Sequence, residues 1–237
     1  PLSLCDTEDN GPGNPPGNGK LDFTDADLTN QTDPDTTENI EIGAKFTLLD
    51  NRLTLNTAIF NIDWTDLPSL VPNTSDTCPG ALGITNNIGE ARSKGMEVEA
   101  NYLVTSQLAI NLSASYIEAE WVDTEGLTAT PGESLTFAPR TNAHLGVQYD
   151  FDISRYPAFV RADVSYVGEY ENSFEFAGYG TAGDYVNVSM RTGISIDQWS
   201  LAFYAMNLTN EDALTNSTDS DIKLIPRRLG FEASYQF

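Results

Sequence analysis

Basic residues are scarce in this chain: 12 Lys and Arg stand against 35 Asp and Glu in 237 residues, for a formal net charge of −23. Without basic surface to neutralise phosphates, nucleic acid is excluded as a partner. Adhesion to anionic lipid surfaces is excluded on the same ground. Long apolar runs are missing too. None approaches the about 18 residues that mark a membrane helix, although a β-barrel needs no such run, because its lipid-facing side chains fall at every second position. Histidine occurs once, as His144, and cysteine twice, as Cys5 and Cys78. His144 has no visibly paired Ser or Cys nucleophile, and no Gly-rich phosphate loop or zinc-ligand spacing occurs. The expectation is therefore a protein that is not an enzyme and holds no metal or other cofactor. The chain opens Pro1-Leu-Ser-Leu-Cys, with no export signal, and so reads as an internal start in a longer exported protein.

What the chain does have is a two-residue rhythm. Near the end, Leu229, Phe231, Ala233, Tyr235 and Phe237 share one face of an extended strand, while Gly230, Glu232, Ser234 and Gln236 share the other. The same alternation recurs upstream. Ile40, Ile42, Ala44, Phe46 and Leu48 align over 38–49. Leu53, Leu55, Thr57 and Ile59 open the next strand, over 52–66. There Phe60, Ile62 and Trp64 then take the opposite phase, which predicts a bulge or a buried inner face near Phe60. Further strands carry apolar sets from Met96 to Tyr102, Leu108 to Tyr116, Thr141 to Phe151, Ala158 to Tyr166, Val186 to Ile196, and Trp199 to Ala205. With the terminal strand this makes nine.

The connections alternate in length. Short turns are predicted at 50–51, 104–106, 152–155 and 197–198, and long loops at 67–89, 123–138, 171–183 and 209–225. That asymmetry, with one apolar and one polar face per strand, predicts an all-β, antiparallel transmembrane β-barrel with periplasmic turns and external loops. Residues 1–37, rich in Gly, Pro, Asn and Asp, read as an external loop, and 38–237 as a portion of barrel wall. Trp199 and Tyr102 fall beside short turns, Trp64 and Trp121 beside long loops, matching aromatic girdles at the two interfaces. Cys5 and Cys78 fall in neighbouring external loops of an oxidising compartment and are expected to form a disulfide. A sheet with open edges cannot sit in lipid, so further strands must complete it.

Polar-face residues are candidates for the lumen wall: Lys45, Glu97, Glu99, His144, Arg161 and Arg191. His144 reads as a hydrogen-bonding wall residue. Glu97 and Glu99 read as alternating wall polarity rather than an acid–base pair. The three cations are expected to pair with wall carboxylates such as Asp163 or Glu99. Four aromatics in or beside one external loop, Tyr170, Phe174, Phe176 and Tyr179, are the candidates for ligand binding. The acidic clusters Asp6-Thr-Glu-Asp9 and Asp219-Ser-Asp221 offer oxygen ligands for Ca²⁺ but lack a full loop signature, and read as solvated charge.

Several stretches together resemble a known family. They are Glu38-Asn-Ile-Glu-Ile-Gly-Ala-Lys45 with Leu53 to Asp66, Asn87-Ile-Gly-Glu-Ala-Arg-Ser-Lys-Gly-Met-Glu-Val-Glu99, Ala138-Pro-Arg-Thr-Asn142, Asn207-Leu-Thr-Asn-Glu211, and Pro226-Arg-Arg-Leu-Gly230 with terminal Phe237. In order and spacing they are similar to the TonB-dependent outer-membrane receptors. The resemblance implies a 22-stranded barrel of which this chain forms the last nine or so strands, in the outer membrane of a Gram-negative bacterium. It also implies a plug and a TonB-engaging segment, supplied by the N-terminal part of the same receptor or by a second chain. The wall cations could then bond to the plug instead of to wall carboxylates. The implied partners are outer-membrane lipid, the TonB complex through that other part, and a small-molecule ligand. The implied function is uptake of a scarce nutrient, with a ferric siderophore as default. The acidity weighs against an anionic iron chelate at low salt. An oligosaccharide receptor, a passive porin or structural barrel, and a soluble all-β calcium-binding adhesin are the alternatives.

Overall fold

The structure is a computed structural model that describes residues 32–71, 84–87, 89–124, 129–172, 180–217 and 221–237. Its strands are β1 (Thr36–Leu48), β2 (Leu53–Thr65), β3 (Pro68–Val71), β4 (Ile84–Asn87), β5 (Glu90–Leu103), β6 (Leu108–Asp123), β7 (Thr141–Ile153) and β8 (Tyr156–Val167). They continue with β9 (Tyr170–Glu171), β10 (Thr181–Ala182), β11 (Tyr185–Ile196), β12 (Trp199–Met206), β13 (Leu214–Ser217), β14 (Asp221–Lys223) and β15 (Arg228–Tyr235). One nine-stranded sheet runs in the order β1-β2-β5-β6-β7-β8-β11-β12-β15. Between consecutive long strands of that sheet, the pairs β3-β4, β9-β10 and β13-β14 form separate two-stranded ribbons.

The described contacts cluster into two units. The larger comprises Asn39–Ile62, Ser93–Ala119 and Ser134–Phe237, and the smaller comprises the described parts of Pro1–Glu38, Asp63–Arg92 and Glu120–Glu133.

In the larger unit the register lines up apolar side chains in rows across strands. Leu112, Leu145, Val164 and Val188 form one row. Ile110, Val147, Ala162, Met190, Ala205 and Leu229 form the next. Leu108, Tyr149, Val160, Thr192, Phe203 and Phe231 form a third. The large side chains of these rows are part-exposed or exposed, with Leu112 at 40%, Phe203 at 47% and Phe231 at 67%, while Ala205 between them is buried. The buried apolar residues among those described are six alanines and Trp121, so the sheet encloses no core of large side chains. Besides Tyr149, whose ring lies toward the turn end, Thr192 is the polar member of the rows, and its hydroxyl donates to the Phe159 carbonyl at 2.8 Å. That leaves no open donor on the apolar face there, as lipid requires.

The rows run from Tyr166 and Val186 at one end to Ile196, Trp199 and Tyr235 at the other. Val186 to Ile196 spans about 34 Å of extended chain. Tilted by about 40°, that gives a height of about 26 Å, matching the apolar band of outer-membrane barrels, which is about 25 Å tall. Aromatics close both ends. Trp199 packs on Tyr235 with ring centroids 5.1 Å apart, and Tyr235 meets Phe237 edge-on at 5.2 Å. Tyr149 stacks on Phe151 at 5.8 Å, and Arg155 sits over the Tyr156 ring at 4.9 Å. At the other end Tyr116 donates its hydroxyl to Glu118 at 3.0 Å, and Tyr166 to Asp184 at 3.1 Å. Each ring lies at the band edge and each hydroxyl faces a carboxylate beyond it, the usual arrangement at an interface.

The short turns gather at the Trp199 end. Leu49, Asp50 and Asn51 take positive φ, as do Ser154 and Asp197. Arg52 fastens two turns together: its backbone carbonyl accepts from Leu103 N at 2.8 Å and its guanidinium donates to the Val104 carbonyl at 3.2 Å.

Two expectations need correcting. Trp64 and Trp121 do not belong to the loop-end girdle. Trp121 is 5% exposed and stands out of phase with Leu112 and Tyr116 on β6, while Trp64 shares the phase of Phe60 and donates its indole N–H to Asp35 at 2.6 Å. The long connections are not plain loops, since three of them carry hairpins. The third long strand starts at Glu90, where the predicted 67–89 loop ends, and its first five residues, Glu90-Ala-Arg-Ser-Lys94, lie before the apolar alternation begins.

In the smaller unit Asn87 acts as a clamp. It accepts from Asp33 N at 2.7 Å and donates to the carbonyls of Asp33 and Asp66 at 2.8 and 2.7 Å. Arg92 pairs with Asp63 at 2.6 Å.

Candidate functional site

The polar face of the larger unit is a hydrogen-bonded wall. Arg161 on β8 grips Asp163 with two bonds, Nε to Oδ2 at 2.9 Å and Nη2 to Oδ1 at 2.6 Å. Its Nη1 reaches over β7 to Asn111 Oδ1 on β6 at 3.3 Å, and Asn111 Nδ2 donates to Asn101 Oδ1 on β5 at 2.6 Å. The span is open because register places Gly146 between Asn111 and Asp163. A Cβ at Gly146 would sit 2.5 Å from Arg161 Nη2. His144 stands beside this chain, with Nδ1 3.0 Å from the Ser165 hydroxyl and Nε2 3.5 Å from Asp163 Oδ1.

Arg191 repeats the device. From β11 it passes β12 to reach Glu232 on β15 at 2.8 Å. On the strand between them Ala202 stands opposite Glu232, and Tyr204 lies over Gly230. Phe159 lies over Gly193, where a Cβ would come within 2.6 Å of its ring, and Phe60 lies over Gly95 with its ring tip 3.0 Å from a Cβ there. The phase change at Phe60 is thus an inner-face ring covering a glycine, the pairing known to restore packing at a bare strand position.

Lys45 differs from the two arginines. It lines a concavity of about 580 Å³ with Glu41, Asn56, Glu97 and Glu99, and among the described residues it makes no ion pair within 4 Å. A second hollow, of about 300 Å³, shares Glu97 and Glu99 and extends to Ser113, Asn142, His144 and Ser165. Among the described residues no group of three or more His, Cys, Asp or Glu converges to hold a metal.

At the loop end Tyr170 is held firmly. Its hydroxyl donates to the Thr215 carbonyl at 2.7 Å and its ring tilts against Phe137 at 6.5 Å. Burial pushes the Tyr170 phenol pKa up, and the neighbouring Tyr185 adds to the shift. Phe174, Phe176 and Tyr179 lie outside the described residues, as do Cys5, Cys78, the 6–9 cluster and Asp219. Arg140 is the residue that sequence reasoning passed over. Its signal was an arginine, in a chain poor in them, set where a strand begins.

The motif Asn207 to Glu211 proves to be a knot. Asn207 is buried, at φ 48°, and donates to the carbonyls of Glu211 and Ile225, each at 2.9 Å. Its Oδ1 accepts from Glu211 N at 2.8 Å, and Asn210 Oδ1 accepts from Arg227 N at 3.1 Å.

A sheet with lipid-facing rows, a bonded polar wall and one end of short turns defines a portion of outer-membrane β-barrel. Residues 7–208 match the family described as TonB dependent receptor-like, beta-barrel. The chain belongs to that family, and with it to the Gram-negative outer membrane. It is 30% identical over 155 residues to the metal-pseudopaline receptor CntO of Pseudomonas aeruginosa, a match covering 63% of this chain and 21% of the relative. It thus spans about a fifth of that relative's length. Among solved structures, the ferric yersiniabactin uptake receptor FyuA from Yersinia pestis superposes with a TM-score of 0.70 at 20% identity, over 86% of this chain and 30% of that one. The siderophore receptor PiuA from Acinetobacter baumannii gives 0.65 at 20% identity, over 83% and 28%. These two are likenesses of fold.

Proposed function

We propose that this chain is the C-terminal part of the wall of a TonB-dependent uptake receptor, which binds a metal chelate at its external end and admits it to the periplasm. The ferric siderophore is the default cargo. Family membership, joined to a sheet that is apolar on one face and hydrogen-bonded on the other, carries the reading. In this reading Lys45, Glu97, Glu99, His144, Arg161 and Arg191 face the lumen. Proteins of this family transport rather than transform their ligands, so no residue here is assigned catalysis. The related receptors are named for metal-pseudopaline and ferric yersiniabactin, which supports a metal-bearing cargo over an oligosaccharide. The net charge of −23 favours complexes that are neutral or cationic. A soluble sandwich would need a second sheet across the apolar rows, and the one large sheet of the described residues has none.

The test is uptake of radioactive iron, offered as a panel of ferric chelates, by cells whose only receptor is the complete protein containing this chain. Accumulation that requires functional TonB is expected for at least one chelate. Equal accumulation without TonB would instead identify a passive porin, and no accumulation from any chelate would reject iron uptake.

A further inference from the structure

At the loop end, residues 134–140 run beside 168–172. Phe137 N donates to the Glu171 carbonyl and Gly168 N to the Thr141 carbonyl, each at 2.8 Å, which holds the segments in place. Between them lies an open cleft of about 290 Å³ lined by Ser134, Ala138, Arg140, Glu169, Tyr170 and Glu171. Arg140 makes one long hydrogen bond there, Nη2 to Ser134 Oγ at 3.4 Å. Among the described residues no carboxylate comes within 4 Å of it, and Glu118 is the carboxylate that feels its charge from farther off. Glu169 accepts from Thr181 Oγ1 at 3.3 Å. Tyr170 is locked by its bond to Thr215. Next to Glu171, Asn172 is wholly buried with both ends of its carboxamide unbonded. It lies outside the lining of the cleft and takes no part in it.

We infer that this cleft is a binding subsite for an amphoteric small molecule, one that carries a carboxylate and a protonated amine. The carboxylate lies against the planar Arg140 guanidinium, whose fork matches two oxygens. The amine faces Glu169 and Glu171, which both line the cleft. At about 30 Å³ per water-sized volume, the cleft holds about ten non-hydrogen atoms. The inference rests on the uptake reading only in taking the loop end as the side that meets the cargo.

The probes are lysine, which carries both charges, Nα,Nε-diacetyl-lysine, which carries only the anion, and lysinamide, which carries only cations. Each is titrated calorimetrically into the complete receptor in detergent. Lysine should bind about ten-fold or more tighter than either analogue, the usual loss when a charged hydrogen-bond partner is removed. Arg140→Gln should bring lysine down to the level of lysinamide, and Glu169→Gln with Glu171→Gln down to that of the diacetyl form. Arg155→Gln, which removes a cation at the short-turn end outside the cleft, should preserve the order and so separates loss of a contact from a general change of charge. Equal binding of the three probes, no binding of any, or an Arg140→Gln receptor that keeps its preference for lysine would overturn the assignment. A receptor that passes these tests but imports no iron chelate would leave the cleft standing and remove the uptake reading. One that imports but shows no preference would do the reverse.

Discussion

Val147 sits at the middle of the apolar band, flanked by Ile110 on β6 and Ala162 on β8. Placing arginine there puts a guanidinium at mid-depth in hydrocarbon, which costs about 2–4 kcal/mol in barrels of this type. The folding equilibrium should fall by about 30-fold to 1,000-fold. Two companions set the scale. Val186→Arg lies at the rim, in the Tyr166 row, where the same charge costs about 0–1 kcal/mol. Ser189→Arg lies at similar depth on the opposite face, opposite Asp163, where a cation finds a carboxylate and the change should stay within about 0.5 kcal/mol. The measurement is reversible folding of the complete receptor into lipid vesicles, followed by tryptophan fluorescence across a denaturant series. The expected order of cost is Val147→Arg, then Val186→Arg, then Ser189→Arg. If Val147→Arg and Ser189→Arg cost the same, the two faces do not meet different media, and the assignment of oil to one and water to the other is wrong.

Gly193→Ala should destabilise by about 1–3 kcal/mol through overlap with the Phe159 ring, and adding Phe159→Ala should recover part of that loss in the same denaturation assay. Asn207→Ala removes three hydrogen bonds of the knot and should cost about 2–3 kcal/mol, seen as faster amide exchange over 208–213. A double-mutant cycle on Arg161→Gln and Asp163→Asn should return a coupling of about 1 kcal/mol, and a value of zero would reduce the bidentate grip to proximity. The proposed Cys5–Cys78 disulfide predicts no titratable thiol in the denatured, unreduced protein, and two free thiols would reject it.

The strands were legible because a sheet face repeats every second residue, and Leu112, Val147 and Ile194 obey that count. The contacts on the polar wall were not. Arg191 meets Glu232 across an intervening strand, 41 residues away in sequence, and no local pattern encodes such a register. Trp64 and Trp121 show a different failure. Their distance from the loops pointed to a girdle, yet counting phase from Ile59 and Tyr116 would have put them on the other face. The hairpin inside the 67–89 connection was hidden by Pro68, Pro72 and Pro79, which mark an irregular segment without saying that its ends pair. At the loop end, Tyr170 drew notice as an aromatic, whereas the unpaired state of Arg140 exists only once the neighbouring segments are in place.

The side chains that recline over glycines decide how much headroom the inner wall leaves. Phe60, Phe159, Arg161 and Tyr204 are long enough to stand several ångströms proud of the backbone, but each instead lies down on a bare position of the next strand. Bulk that would otherwise narrow the bore is folded into the thickness of the wall itself. Filling any one of those glycines would therefore do more than crowd a ring: it would tip a large group upright, away from the wall and into the space before its polar face.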